Sequence, residues 1–106
     1  MYHKAIDTGA AEKLPLSSEA WKLFSFDNQE VLRLDMNPGD SMENHTNDWR
    51  VIIYVLEGAG ILNIEGVKHP LTAHQAVAVA PGVNRFLSNT GEVTLKLLVN
   101  KTKEAP

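Results

Sequence analysis

Residues 50–60 read RVIIYVLEGAG, and most of the fold can be inferred from this stretch. Residues 51–56 are apolar at odd and even positions alike, which is the pattern of a strand that is covered on both faces. The Glu-Gly-Ala-Gly sequence at 57–60 ends this strand, because glycine favours turns. A second strand is predicted over residues 61–65, and it ends at Gly66.

Short segments of the same kind lie on both sides of this stretch. Strands are predicted over residues 21–26, 31–36, 76–80, 85–87 and 93–99. Turn-forming residues separate them, and no segment has the 3.6-residue apolar period of a long helix. The pattern predicts an all-β protein, either an antiparallel sandwich, a jelly roll or a small barrel.

The length of 106 residues indicates a single domain over residues 1–106. We expect an irregular arm over residues 1–20, with at most one edge strand, and a barrel core over about residues 21–100. Residues 101–106 are interpreted as a polar tail. A hydrophobic fraction of 43% and a charged fraction of 22% exclude a disordered chain.

Composition also limits the classes of function. The chain has no cysteine, which excludes disulfides, thiolate metal sites and cysteine nucleophiles. Proteins that bind nucleic acid or an anionic membrane usually carry positive charge, and the formal net charge here is -3. The N-terminus lacks the apolar segment of a secretory signal, and no apolar run approaches the ~20 residues that span a bilayer. A cytoplasmic location is therefore expected.

Two motifs in order resemble those of the cupin superfamily. Gly39, His45 and Gly58 have the spacing of the first motif, G-x5-H-x-H-x3,4-E-x6-G. Gly82 and Asn89 have the spacing of the second motif, G-x5-P-x-G-x2-H-x3-N. The resemblance implies a double-stranded β-helix, which is the jelly-roll barrel of the cupins, over most of residues 31–99.

The resemblance also implies a divalent metal held by three histidines and one glutamate, but this sequence keeps only His45 of that set. Asn47, Val51 and Arg85 stand at the other three ligand positions. Valine has no lone pair to donate, and arginine is a permanent cation without an acceptor. We therefore predict no metal and no other cofactor at these positions. A weak metal site made by Glu43 or Asp48 with His45 stays open.

Two further histidines lie outside this motif set. His69 and His74 flank the Pro-Leu pair before the predicted strand at 76–80. Histidine is commonly exposed or half-exposed, and the resemblance places this stretch at a strand connection away from the pocket. A surface position is expected for both, and the second of them also replaces the leading glycine of the second motif.

The residues at the former metal positions point instead to a ligand pocket. The resemblance implies that Arg85 faces the barrel interior, where its charge needs a partner. That partner is either a small anionic ligand, with His45 and Asn47 as directional hydrogen-bonding groups, or an internal carboxylate. Val51 is expected in the pocket wall. Trp49 either lines the opening or lies at an interface.

His45 has three interpretations, as a hydrogen-bonded core residue, a group that recognises a ligand, or a general acid or base with Asp48. The leading hypothesis is a metal-free cupin that binds a small anionic molecule; whether it is an enzyme stays open. The alternatives are a metal-dependent oxygenase or isomerase with a degenerate site, and a structural or regulatory protein with a filled pocket. Strand 51–56 is apolar on both faces, so its outer face needs a second sheet or a second subunit. The resemblance implies a homodimer, with the arm around Leu14, Leu16 and Trp21 as a candidate interface.

Overall fold

A computed structural model describes residues 3–14 and 18–103. The described chain contains a one-turn 3-10 helix at Thr8–Ala10 and nine strands. The strands are β1 Glu12–Leu14, β2 Glu19–Phe26, β3 Gln29–Met36, β4 Arg50–Glu57, β5 Ala59–Ile64, β6 Val67–Thr72, β7 Ala76–Val79, β8 Arg85–Ser88 and β9 Leu95–Thr102. The part of the chain described here has no helix with the length and apolar character needed to cross a membrane.

The strands form two antiparallel sheets. The larger sheet has the order β1-β2-β3-β9-β4-β7, and the smaller has the order β6-β5-β8. Strand β9 lies between β3 and β4, so the last strand of the chain joins the β1-β2-β3 half of the larger sheet to the β4-β7 half. The all-β jelly roll predicted from the sequence is confirmed.

Strand β4 shows why this architecture suits the stretch at 50–60. Val51, Ile53 and Val55 are buried, whereas Ile52 and Tyr54 on the opposite face are exposed. Successive side chains of a strand point to opposite faces, so one face enters the core between the sheets and the other lies outside. Each fully buried aliphatic side chain contributes roughly 1.5–3 kcal/mol to folding. The outer apolar face remains uncovered within one chain.

The buried apolar residues form one cluster between the two sheets. Its members are Ala20, Leu34, Met36, Val51, Ile53, Val55, Leu62, Leu71, Val79, Leu87, Leu95, Leu97 and Val99. Asn89 is buried with them and satisfies three backbone groups. Its Nδ2 donates to the carbonyls of Met36 and Val93, both at 2.9 Å, and its Oδ1 accepts from the backbone N–H of Gly91 at 3.0 Å. The motif asparagine therefore has a structural role.

The strand predictions hold for β2, β3, β4, β5, β7 and β8, with small shifts of their ends. Strand β6 was not predicted, because Pro70 and polar neighbours interrupt its pattern. Proline is tolerated in an edge strand, and β6 is an edge of the smaller sheet. The arm over residues 1–20 contains β1, which pairs with β2. Leu16 lies outside the described residues.

The prediction that a polar tail begins at residue 101 was wrong for residues 101 and 102. Strand β9 begins at Leu95 and runs to Thr102, so Lys101 belongs to the larger sheet rather than to a polar tail. Lys101 pairs with Glu30 of β3 on one side and Val51 of β4 on the other. Backbone pairing on both sides outweighs the weak preference of lysine for strands.

The connection before β4 brings the two motifs together. Residues 40–45 run antiparallel to β8, with a hydrogen bond of 2.9 Å from Met42 N to Leu87 O. His45 and Arg85 exchange backbone hydrogen bonds of 3.0 Å in both directions. This irregular pairing extends the smaller sheet and fixes the two residues side by side.

Candidate functional site

A cavity of about 260 Å³ lies between the two sheets. Both sheets and the connection at 40–45 contribute to its wall. The lining residues are Leu14, Ala20, Leu32, Leu34, Met42, His45, Val51, Ile53, Leu62, Arg85, Phe86, Leu87, Val99 and Lys101. Only three of these have an ionisable side chain, and the others make an apolar wall.

Arg85 enters the cavity from β8. Arg85 and Leu87 are buried, and the period of two along a strand directs both side chains to the interior. Arg85 is only 5% exposed, and this burial lowers the pKa of its guanidinium. Its Nη1 donates to the Val83 carbonyl at 3.3 Å. A guanidinium has several further N–H groups, which leaves donors for the cavity.

Lys101 provides a second cation at the same end of the cavity. Burial lowers its pKa, the carboxylate of Glu30 raises it, and the positive charges of Arg85 and Lys22 lower it further. Lys101 was not among the site residues predicted from the sequence. The buried residues Leu95, Leu97 and Val99 alternate along β9, and continuing that alternation places Lys101 on the interior face.

Neither cation has a carboxylate partner at ion-pair distance. Among residues 3–14 and 18–103, no carboxylate oxygen lies within 4.0 Å of the charged nitrogens of Arg85 or Lys101. The nearby Glu30 instead forms an ion pair of 3.6 Å with Lys22. The internal pairing of Arg85 with Glu43 or Asp48, one of the two partners considered for it, is not formed between these described residues.

His45 is exposed and also lines the cavity, so it lies at the opening to solvent. Its Nδ1 lies 2.8 Å from the backbone carbonyl of Glu43. A carbonyl only accepts, so Nδ1 carries the proton in this contact. In the neutral ring, Nε2 is then free of a proton and can accept a hydrogen bond.

The other expected site residues are divided between the cavity and the adjoining loop. Val51 is 3% exposed and forms part of the wall. Asn47 and Trp49 do not line the cavity. The Asn47 Oδ1 accepts from Trp49 N at 2.8 Å, and the Asn47 backbone carbonyl accepts from Gly82 N at 2.8 Å. The structure therefore brings together His45, Val51 and Arg85, whereas Asn47 shapes the loop.

His69 and His74 lie on the surface, as predicted. His69 is exposed in β6, and His74 is exposed in the turn before β7. The described parts of the chain bring no three His, Asp or Glu side chains close enough to share a metal ion.

The donor set of a cupin metal does not fit this cavity. Of the four ligand positions, only His45 offers a nitrogen lone pair toward the cavity. Val51 presents an alkyl group there, Asn47 is turned into its loop, and Arg85 presents a cation. A guanidinium at ligand distance repels a metal ion, and one imidazole is too few ligands for a tight site.

Comparisons with known proteins agree with this fold. The family model of the cupin domain matches residues 32–100, and the chain therefore belongs to the cupin family. No curated protein sequence matches the chain.

Three solved structures show how far the likeness extends. A predicted oxalate decarboxylase from Thermotoga maritima is 20% identical with a TM-score of 0.87, and the match covers 95% of this chain and 100% of that one. The polyketide cyclase RemF from Streptomyces resistomycificus is 20% identical with a TM-score of 0.84, over 99% of this chain and 82% of that one. KdgF from Halomonas sp. is 12% identical with a TM-score of 0.83, over 97% and 96%. At these identities the likeness establishes a shared fold.

Proposed function

We propose that the protein is a small-molecule-binding cupin whose cavity holds an anion against Arg85. One observation carries this proposal: Arg85 is 5% exposed, faces a cavity of about 260 Å³, and has no carboxylate partner within 4.0 Å among the described residues. An unpaired buried charge is costly, and a bound anion offsets that cost. A carboxylate or phosphate fits the planar fork of a guanidinium.

His45 supports the same assignment at the cavity opening. Its Nδ1 is occupied by the Glu43 carbonyl, so its Nε2 is the atom that can meet a ligand. As a neutral imidazole it accepts a hydrogen bond there, and as a cation it adds a third positive charge. A proton-transfer role for His45 is the second candidate, and its orienting group would be the Glu43 carbonyl.

Two alternatives have weaker support. A metal-dependent oxygenase or isomerase needs a donor set that Val51 and Arg85 do not supply. Elemental analysis of the protein purified without added metal separates these functions, because stoichiometric iron, manganese, nickel or zinc would contradict an anion pocket without metal. A structural protein with a filled pocket is disfavoured by the open volume between the sheets.

The test compares Arg85→Gln with Arg33→Gln. Arg33 forms a 2.8 Å ion pair with Asp35 outside the cavity, so its variant also removes one arginine charge. Acetate, benzoate and phosphate are titrated by calorimetry at constant ionic strength, which keeps general screening equal. We expect at least one of these anions to bind the wild type and Arg33→Gln alike. Arg85→Gln should bind it about tenfold or more weakly, as the loss of a charged hydrogen bond predicts. Equal binding by all three proteins would overturn the proposal.

The expected homodimer is also proposed, with the outer face of the larger sheet as its interface. Phe26, Ile52 and Tyr54 on this face are 46%, 42% and 36% exposed. On β2, Phe24 stacks on Phe26 with ring centroids 6.2 Å apart, and β3 and β9 lie between this pair and β4. Several large apolar side chains exposed on one sheet face are a candidate interaction site. The cytoplasmic location stays a prediction.

A further inference from the structure

The cavity changes in character along its length. On β9, the cavity is lined by Lys101 and, one interior position farther along, by Val99. On β8, it is lined by Arg85 and Leu87. Arg85 and Lys101 both line the cavity, so the two strands contribute their charged side chains to one pocket. The cavity is therefore cationic at one end and apolar at the other.

The apolar end is built by both sheets. Register pairs Lys101 with Val51, and the next interior pair along the same strands is Val99 with Ile53. Leu62 of β5 pairs with Leu87 and faces them from the smaller sheet. Among the residues that the structure describes, no polar side chain lines this inner part, so a ligand group that enters it gains affinity by being apolar.

The volume limits the size of the ligand. An apolar cavity of about 150 Å³ holds one benzene molecule of six carbon atoms. By the same proportion, a cavity of about 260 Å³ holds roughly ten non-hydrogen atoms. If three of these are a carboxylate, roughly seven carbons are left for the apolar part.

We infer that the ligand is an amphiphilic monocarboxylate of about ten non-hydrogen atoms, such as a medium-chain fatty acid, with its head group between Arg85 and Lys101. This inference rests on the proposed function and names its substrate class. The carboxylate lies at the cationic end, and the hydrocarbon extends past Val99 and Ile53 toward Leu62. Small inorganic anions satisfy the charges and leave the apolar end unused.

A chain-length series tests the ligand class. Acetate, butanoate, hexanoate, octanoate, decanoate and dodecanoate are titrated into the full chain by calorimetry at constant ionic strength. We expect affinity to rise about fourfold for each added methylene. The rise should stop near octanoate, which has the size that the cavity accepts, and octan-1-ol should bind at least tenfold more weakly than octanoate.

Lys101→Gln and Lys103→Gln test the second cation. Lys103 is exposed and lies two residues farther along the chain. Lys101→Gln should lower octanoate affinity about tenfold, whereas Lys103→Gln should leave it unchanged. Melting curves of both variants without ligand establish that each is folded before titration.

The possible failures are separable. If acetate and octanoate bind equally well and both depend on Arg85, the amphiphilic ligand is wrong and the anion pocket stands. If affinity keeps rising to dodecanoate, or if octan-1-ol matches octanoate, the size or the head-group assignment is overturned. If no anion in either series binds, the proposed function falls together with this inference.

Discussion

The two cations in the cavity carry an energetic cost in the protein without ligand. Arg85 and Lys101 are drawn from strands on opposite sheets, and burial lowers the pKa of each. Their charges also oppose each other, because Arg85 further lowers the pKa of Lys101. Taking a charge out of water without a partner costs free energy, more for Arg85, which is 5% exposed, than for the half-buried Lys101. The conflict between stability and charge at this end of the cavity is typical of a binding site.

Because burial lowers the pKa of Lys101, its contribution to the free energy of unfolding should depend on pH, and Lys101→Met should remove that dependence. The groups around Lys101 are Glu30, which raises its pKa, and Arg85 and Lys22, which lower it, with His45 at the opening. Its pKa in the folded state lies below the unfolded value of 10.5. Between those two pKa values the unfolded chain binds more protons, so stability rises with pH.

Urea denaturation at pH 7 and pH 10 measures this contribution. We expect the free energy of unfolding of the wild type to increase relative to that of Lys101→Met as the pH rises. Lys103→Met, at an exposed position, should follow the wild type. Parallel changes in all three proteins would show that Lys101 is not desolvated.

At the scale of elements, the two turns that flank β6 hold residues other than glycine in the left-handed region. His74 stands where the second motif has its leading glycine, and its φ of 72° lies in the left-handed region. Its backbone N–H donates to Val55 O at 2.8 Å, which holds the turn against β4. The adjacent β5–β6 turn has positive φ at both Glu65 and Gly66, as a type I′ hairpin turn requires. Side chains other than glycine carry a conformational cost at such positions.

His74→Gly should therefore stabilise the protein by about 1 kcal/mol, since left-handed backbone costs a non-glycine residue about 1–2 kcal/mol. The substitution removes a surface approach of the imidazole Nδ1 to the Tyr54 hydroxyl at 3.5 Å, which contributes little to stability. His69→Gly makes the same change inside β6 and should destabilise by about 0.5–1 kcal/mol. Thermal unfolding measures both, with a shift of about 4–8 °C per kcal/mol. A lower melting temperature for His74→Gly would contradict the strain argument.

At the scale of the whole molecule, the two faces of the larger sheet have different surroundings. The inner face covers the core and the cavity. On the outer face, register places Leu98 of β9 between Tyr54 of β4 and Arg33 of β3, so a charged residue follows two apolar ones across the sheet. The arm around Leu14, considered as part of an interface, contributes Leu14 to the cavity wall of its own chain.

The proposed dimer predicts an effect of one charged substitution on this face. A two-fold interface uses the same patch twice, so Ile52→Lys introduces two opposed charges. We expect sedimentation velocity to show a dimer for the wild type and a monomer for Ile52→Lys. Val67→Lys is the matched control, because Val67 is 57% exposed on β6 of the other sheet. A monomeric wild type, or a dimer that Val67→Lys disrupts instead, would refute this interface.

Much of the fold was predictable because strand alternation and turn residues are local signals. The stretch at 50–60 and the hairpin of β2 and β3 follow from them directly. Strand β6 was missed because its proline is acceptable only at a sheet edge, and edge position is a property of the assembled sheet. The position of Asn47 in its loop was equally hidden, since it depends on the backbone of Gly82.

Local sequence was enough to establish the succession of most strands, the absence of thiol chemistry, and the arginine at the position where a metal ligand is expected. The meeting of Lys101 with Arg85 became visible only in the folded chain. The two residues line one cavity because β9 lies between β3 and β4 in the larger sheet and β8 lies in the smaller sheet, and pairing between distant strands sets that arrangement. The same packing sets the volume between the sheets. That volume depends on how side chains from both sheets and the connecting stretch meet, and local sequence patterns do not encode it.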